Sequence, residues 1–192
     1  MHTAAQTPVA HARAGGAPAS LRKLYFLRFG FAAVWAGLLF ATATDLGPLG
    51  VTLLLIYPLF DVASAVVDIR SAKAAGSTTA SLYINVVISS VAVLGLAVAA
   101  TSGIPAVLRV WGAWAIASGL VQLITAVTRR KMGGQWAMIL SGGISTLAGA
   151  SFAAQAGTGE PTLSNLAGYA FLGGVFFLVS ALRLNGSARG DS

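Results

Sequence analysis

Asp61 follows Pro58 by three residues in the middle of the apolar run Leu49–Asp68, and it is the side chain with the most chemical consequence in this sequence. An aspartate at the centre of a membrane-length helix costs roughly 2.5 to 3.5 kcal/mol on insertion scales, so its presence demands a polar environment. Pro58 has no N–H to give the Leu54 carbonyl, which predicts a kink and an unserved acceptor beside the carboxylate. Tyr57, Pro58, Asp61, Ser64, Ala65 and Asp68 recur at helical spacing and share a face, which should point into a helix bundle. A carboxyl so placed can relay a proton, hold a solute, or fix helix register through hydrogen bonds. Gln122, the deep indole of Trp114 and the amide of Asn85 are its candidate neighbours; Asn85 reads first as an interhelical donor. Arg28 is the obvious counter-ion, yet helical side chains lean toward their own N-terminus. On neighbouring antiparallel helices Arg28 and Asp61 therefore lean apart, and the better ion pair is Arg28 with Asp68.

The remaining chemistry is sparse. Both histidines, His2 and His11, precede the first apolar run, so no Ser-His-Asp or histidine-metal constellation can form within the helices. There is no cysteine, which excludes disulfides and thiolate metal sites. Asp61 and Asp68 lie about 10 Å apart along a helix axis, too far to share one ion. Gly133-Gly134 and Gly142-Gly143 lack the following lysine and strand of a phosphate loop. No catalytic residue, cofactor or metal is expected, and the reading is non-enzymatic.

The elements that must position Asp61 are long and apolar. Of the 192 residues, 56% are hydrophobic and 9% charged, too few charges to cover a water-soluble domain. A bilayer core of about 30 Å takes roughly 20 helical residues. Six stretches qualify: Leu24–Ala43, Leu49–Asp68, Ala80–Ala100, Ile104–Thr128, Gly134–Ala156 and Leu163–Leu184. The expected fold is all-α, a polytopic membrane domain over 21–185 with tails at 1–20 and 186–192, the first too poor in large apolar groups to fold. Arg22–Ala43 also has the outline of a signal peptide, but its apolar run is long for one.

Lys and Arg fall on alternate connections: Arg13, Arg22 and Lys23 before the first span, Arg70 and Lys73 after the second, Arg129, Arg130 and Lys131 after the fourth, Arg183 and Arg189 at the end. The other connections carry Asp45 and Glu160 instead. By the positive-inside rule both termini are cytoplasmic. The net charge of +7 is thus a topology signal, and nucleic acid is not an expected partner. Arg129, Arg130 and Lys131 should anchor the chain at the cytoplasmic face, in reach of anionic lipid headgroups. Tyr25, Tyr83 and Trp136 should sit at that interface and Trp111 at the outer one, while Arg109 reaches outward to headgroups. Trp35 and Trp114 lie deeper, where an indole N–H needs a partner; they read first as packing and alternatively as the lining of an internal cavity.

A weak internal echo has the period of a helical hairpin. A shift of 58 residues places Tyr25 over Tyr83 and Gly37 over Gly95, and a further 54 brings Gly149 into the same slot. Ala63–Asp68 matches Ala117–Gln122 in character. The expectation is three parallel-repeat hairpins. Lipid tails give helices no hydrophobic reason to associate, so small residues four apart should mark close contacts: Ala33 and Gly37, Ala115 and Gly119, Gly142 and Thr146, Ser145 and Gly149, with Gly173-Gly174 in the last span. Such faces serve one bundle or a homo-oligomer.

From Arg109 to Gly149 the run RVWGAWAIASGLVQLITAVTRRKMGGQWAMILSGGISTLAG resembles the HdeD-like acid-resistance membrane proteins of bacteria. The resemblance lies in an aromatic, glycine-bearing helix, a short basic turn, a tryptophan and a Ser-Gly-Gly-Ile helix. It implies a six-helix protein of the bacterial inner membrane, associated with tolerance of acid or envelope stress, and it carries no catalytic residues. The alternative expectation is a small-solute transporter or proton-conducting protein using Asp61, which would require a polar cavity reaching the midplane.

Overall fold

The computed structural model describes residues 9–132 and 135–187. These form six long helices: α1 Val9–Ala41, α2 Pro48–Ala74, α3 Ala80–Ala99, α4 Ile104–Thr128, α5 Trp136–Gln155 and α6 Ser164–Ser187. Each contains a segment long and apolar enough to cross a membrane, the first beginning at Leu21. Helix α1 runs through part of the tail expected over 1–20. Residues 1–8 of that tail, Arg189, and Gly134 at the expected start of the fifth span lie outside the described residues. Helix α2 continues past Asp68 to Ala74 and passes through Pro58 as unbroken helix.

The turns follow from local chemistry. After α2, Gly76 adopts φ +65°, where a Cβ would be strained. The Gly76 N–H reaches the Lys73 carbonyl and the Ser77 N–H reaches that of Ala72 at 2.9 Å. This Schellman arrangement satisfies the last carbonyls of the helix and turns the chain into α3. Pro48 and Pro105 stand in the first turns of α2 and α4, where a missing N–H costs nothing. At the far end the Leu163 N–H bonds the Ala43 carbonyl at 2.9 Å, tying the approach to α6 onto the α1–α2 turn.

The helices contact one another in a closed circuit, each with the next and α6 with α1. Close packing is uneven around it: α4 against α5 and α6 against α1 are the most extensive contacts, α2–α3 and α3–α4 are intermediate, and α1–α2 and α5–α6 meet along thinner seams. The two most extensive contacts, α4–α5 and α6–α1, thus join helices of different expected hairpins. The shared glycine slot of the internal echo also meets three different surroundings. A methyl group added to Gly149 would lie 2.5 Å from the Gly112 carbonyl oxygen, one on Gly95 would meet only the Val110 side chain, and one on Gly37 would meet nothing within 4 Å.

The α4–α5 contact is backbone on backbone. A Cβ on Gly119 would sit 2.8 Å from both the Gly142 carbonyl oxygen and the Thr146 nitrogen, and one on Gly112 would sit 2.6 Å from the Gly149 carbonyl oxygen. Glycine is required at these crossings because no side chain can move aside to make room. On the α1–α6 contact Gly174 plays this part against Ala32, whose Cβ would be 3.0 Å away, while Gly173 meets nothing and Gly37 faces outward. Gly37 therefore makes no close contact within the bundle, because its side of α1 is turned outward. Thr146, Thr52 and Ser90 return their hydroxyls to carbonyls of their own helices, so they enter the apolar layer with their donors satisfied.

Overpacking a tight contact typically costs 1 to 3 kcal/mol, and here the obstacle is backbone. Gly119→Val should therefore lower the stability of the detergent-solubilised protein by about 2 kcal/mol or more in SDS unfolding titrations. Gly37→Val should leave it within about 0.5 kcal/mol.

Candidate functional site

A cavity of about 740 Å³ runs up the centre of the bundle, with lining residues from all six helices. It is open at the end where the basic residues gather, bordered there by Ser77, Thr78 and Arg129, and it narrows toward Trp114 and Tyr57. Beyond them the bundle is solid. Trp35, Tyr57, Trp111 and Trp114 form one ring cluster, with Trp35–Tyr57 centroids 4.5 Å apart and Trp111–Trp114 5.1 Å. Leu39, Leu54, Leu96, Leu108, Leu163 and Leu166 fill the space past it with almost no exposure.

The Trp111 result corrects an expectation. This indole is not an outer-interface anchor but is wholly buried. The reason is its face: Leu108, Trp111, Ala115, Ser118 and Gln122 recur at three- and four-residue steps, and that stripe of α4 looks into the bundle. Trp35 donates its N–H to the Leu53 carbonyl at 2.6 Å, one residue before the Leu54 carbonyl that Pro58 cannot serve. Tyr83 and Trp136 are exposed at the basic end, as interfacial rings should be. Tyr25 instead turns inward to line the cavity, its ring 5.8 Å from that of Phe177.

Asp61 lines the inner part of the cavity and is held from α3. The Asn85 amide donates to Asp61 Oδ2 at 2.7 Å and the Ser89 hydroxyl donates to the same oxygen at 2.8 Å. Ser89 in turn accepts the Trp114 indole N–H at 3.1 Å, so three helices meet in one polar chain. The other carboxylate oxygen, Oδ1, accepts no hydrogen bond from the described residues. Gln122, expected as an amide partner, lines the same cavity but does not bond Asp61. The donors come from α3 because α2 packs directly along it, whereas α4 is the next helix round the circuit.

Nearer the mouth Arg28 Nη2 lies 3.1 Å from Asp68 Oδ2, with the two side chains only 11% and 15% exposed. The guanidinium also stands 4.8 Å above the Phe177 ring. This is the pairing that side-chain lean favours over Arg28 with Asp61. Across the cavity the Tyr169 hydroxyl donates to Ser145 at 2.9 Å, linking α6 to α5 along their thin seam. At the rim the Arg129 guanidinium donates to the Thr78 hydroxyl, while Arg130 and Lys131 are exposed. Arg109 is exposed toward the opposite end.

The sequence reading named Asp61, Tyr57, Pro58, Asn85, Gln122 and Trp114. All but Pro58 line one cavity, and Pro58 is buried directly behind it. The reading missed Ser89, Tyr169, Ser145 and Phe177. Ser89 had a signal, standing one helical turn after Asn85 on the same face. Phe177 had none, since only the α1–α6 contact brings it beneath Arg28.

No family model, curated protein or solved structure matches the chain. The architecture itself sets the class: six membrane-length helices, large apolar residues such as Leu94 and Leu147 more than two-thirds exposed on the outside, and polar groups gathered within. The protein is a multi-pass membrane protein with a central cavity.

Removing one member of a largely buried ion pair strands the other charge, at a cost of roughly 3 kcal/mol. Arg28→Ala should lose about that much in the same unfolding titrations, and Arg28→Ala with Asp68→Asn should recover most of it. Equal losses in the single and double variants would show that the pair itself matters little.

Proposed function

We propose that this protein is a small-solute transporter, taking its solute into the central cavity from the basic end and holding it beside Asp61. The observation that carries the reading is that polar groups line the cavity without internal partners. Gln122 and the Tyr57 hydroxyl make no hydrogen bond to the described residues, Ser118 Oγ and Asp68 Oδ1 are buried with none, and Asp61 Oδ1 is free. Two of these atoms, Ser118 Oγ and Asp68 Oδ1, are fully buried, where an unsatisfied polar atom costs about 1 to 3 kcal/mol, and the others face the cavity. The same groups become favourable when a solute supplies the complementary atoms. The volume lies within the range of small-molecule sites, and the packed floor below Trp114 closes one end as alternating access requires.

By the positive-inside rule the basic end lies in the cytoplasm, with both termini there, and the Arg109–Gly149 resemblance implies a bacterial inner membrane. Arg130 and Lys131 then face anionic headgroups. The resemblance, carried by Arg109–Gly149 and looser over the six spans, supplies a setting, acid or envelope stress. No reaction is assigned to the site.

Because the chain has no native cysteine, single cysteines report access directly. In oriented vesicles Gln122→Cys should react with a membrane-impermeant thiol reagent quickly from the basic side and slowly from the other, as the floor opens. Leu94→Cys, on the outside of the bundle, should stay unlabelled. A Gln122→Cys protein inert from both sides would exclude an aqueous cavity and with it the transporter reading.

A further inference from the structure

We propose that the inner end of the cavity recognises an ammonium group, with Asp61 as its counter-ion. This inference rests on the solute-binding reading above and names the chemical class of the solute. Four observations converge on it. Asn85 and Ser89 both donate to one oxygen of Asp61, Oδ2, which leaves Oδ1 available to a ligand. No described Lys or Arg forms an ion pair with it. Of the two guanidinium groups lining the cavity, Arg129 stands at the rim and Arg28 is already held by Asp68 and stacked over Phe177. The inner cavity therefore contains a carboxylate whose second oxygen is free and whose charge nothing in the described chain offsets.

The walls around it are the fourth observation. Tyr57, Trp114 and Tyr169 line the same cavity as Asp61. Ring faces carry negative quadrupole and attract cations, more strongly where water is scarce, and quaternary ammonium is the cation that aromatic enclosures accept best. A compact divalent ion is a poorer fit, because it needs several hard oxygen ligands, and the described residues hold no group of three His, Cys, Asp or Glu side chains. An anionic solute would meet Asp61 as a like charge. An uncharged one would leave it buried without compensation.

An ammonium could arrive free from water at the basic mouth or as the headgroup of a lipid. Met138 and Leu172 line the cavity and are exposed where α5 and α6 meet along a thin seam, so an acyl-bearing amine has a side entrance. The recognised chemistry is the same in both cases.

The test uses radiolabelled choline on the full chain in phosphatidylglycerol nanodiscs, read by scintillation proximity. Choline should bind, and its uncharged isostere dimethylbutanol should compete at least about tenfold less well. Asp61→Asn, which keeps size and an acceptor, should weaken binding about tenfold or more, and Asp61→Glu should retain most of it. Adding phosphatidylcholine to the discs separates the sources: loss of choline binding identifies a lipid headgroup as occupant, and unchanged binding identifies a free cation. Absence of choline binding, equal competition by the alcohol, or an Asp61→Asn protein that binds like wild type would overturn the assignment. Should Asp61→Asn fail to fold, the comparison of choline with its isostere on the wild-type chain decides alone. If choline fails while Gln122→Cys still reacts with the impermeant reagent, only the ammonium assignment falls; an inert Gln122→Cys removes the cavity reading as well.

Discussion

Inside a bilayer an apolar side chain gains almost nothing by leaving lipid for protein, so this bundle depends on how closely its helix backbones can approach. At Gly112, Gly119, Gly142 and Gly149 the approach is near its limit, because a single added carbon would overlap a carbonyl or amide of the facing helix. Dispersion and dipole contacts summed along that seam replace the hydrophobic effect as the source of association. Gly174 does the same on a smaller scale against Ala32. Polar links add to this on the α2–α3 contact, where Asp61 is gripped by Asn85 and Ser89.

The unequal contacts around the circuit have a geometric consequence. Helices drawn together in pairs around a closed circuit leave their inner faces apart, and the space is then filled only if the side chains there are large. Toward one end they are: Trp35, Trp111 and a layer of leucines close the bundle. Toward the basic end Ser81, Ser118, Ser141 and Ala65 stand among the inward residues, too small to meet across the axis, and a cavity remains. Large apolar groups such as Leu94 and Leu147 stand outside, so the usual arrangement of a soluble protein is inverted.

The cavity is graded in charge. Arg129 stands at the rim, the Arg28–Asp68 pair lies further in and is internally neutral, and Asp61 lies deepest with a free oxygen. The ion pair occupies the path between mouth and carboxylate, held on one side by Phe177. The Trp114–Ser89–Asp61 chain couples the floor to the carboxylate through hydrogen bonds on three helices. A change at Asp61 would therefore be felt by the indole that forms part of the closure.

Much of this was legible in the sequence, for a definite reason. Six spans, their alternating positive connections and the anomaly of Asp61 are properties of hydropathy and charge counted along the chain, and the bilayer imposes them residue by residue. The one-face grouping of Tyr57, Asp61 and Asp68, and the lean that separates Arg28 from Asp61, follow from helix geometry alone. What the sequence left open is everything that depends on which helix lies beside which. It left the partner of Asp61 open among hydroxyls, amides such as Gln122 and water, took Gly37 as a close contact and set Trp111 at the outer interface. The tertiary structure decided these points by setting α2 along α3, turning Gly37 outward, rotating the Trp111 stripe of α4 inward and joining α1 to α6. Neighbour choice in lipid is decided by the fit of small residues over whole helix faces, and apolar helices of similar composition carry that information only jointly, when all six are packed.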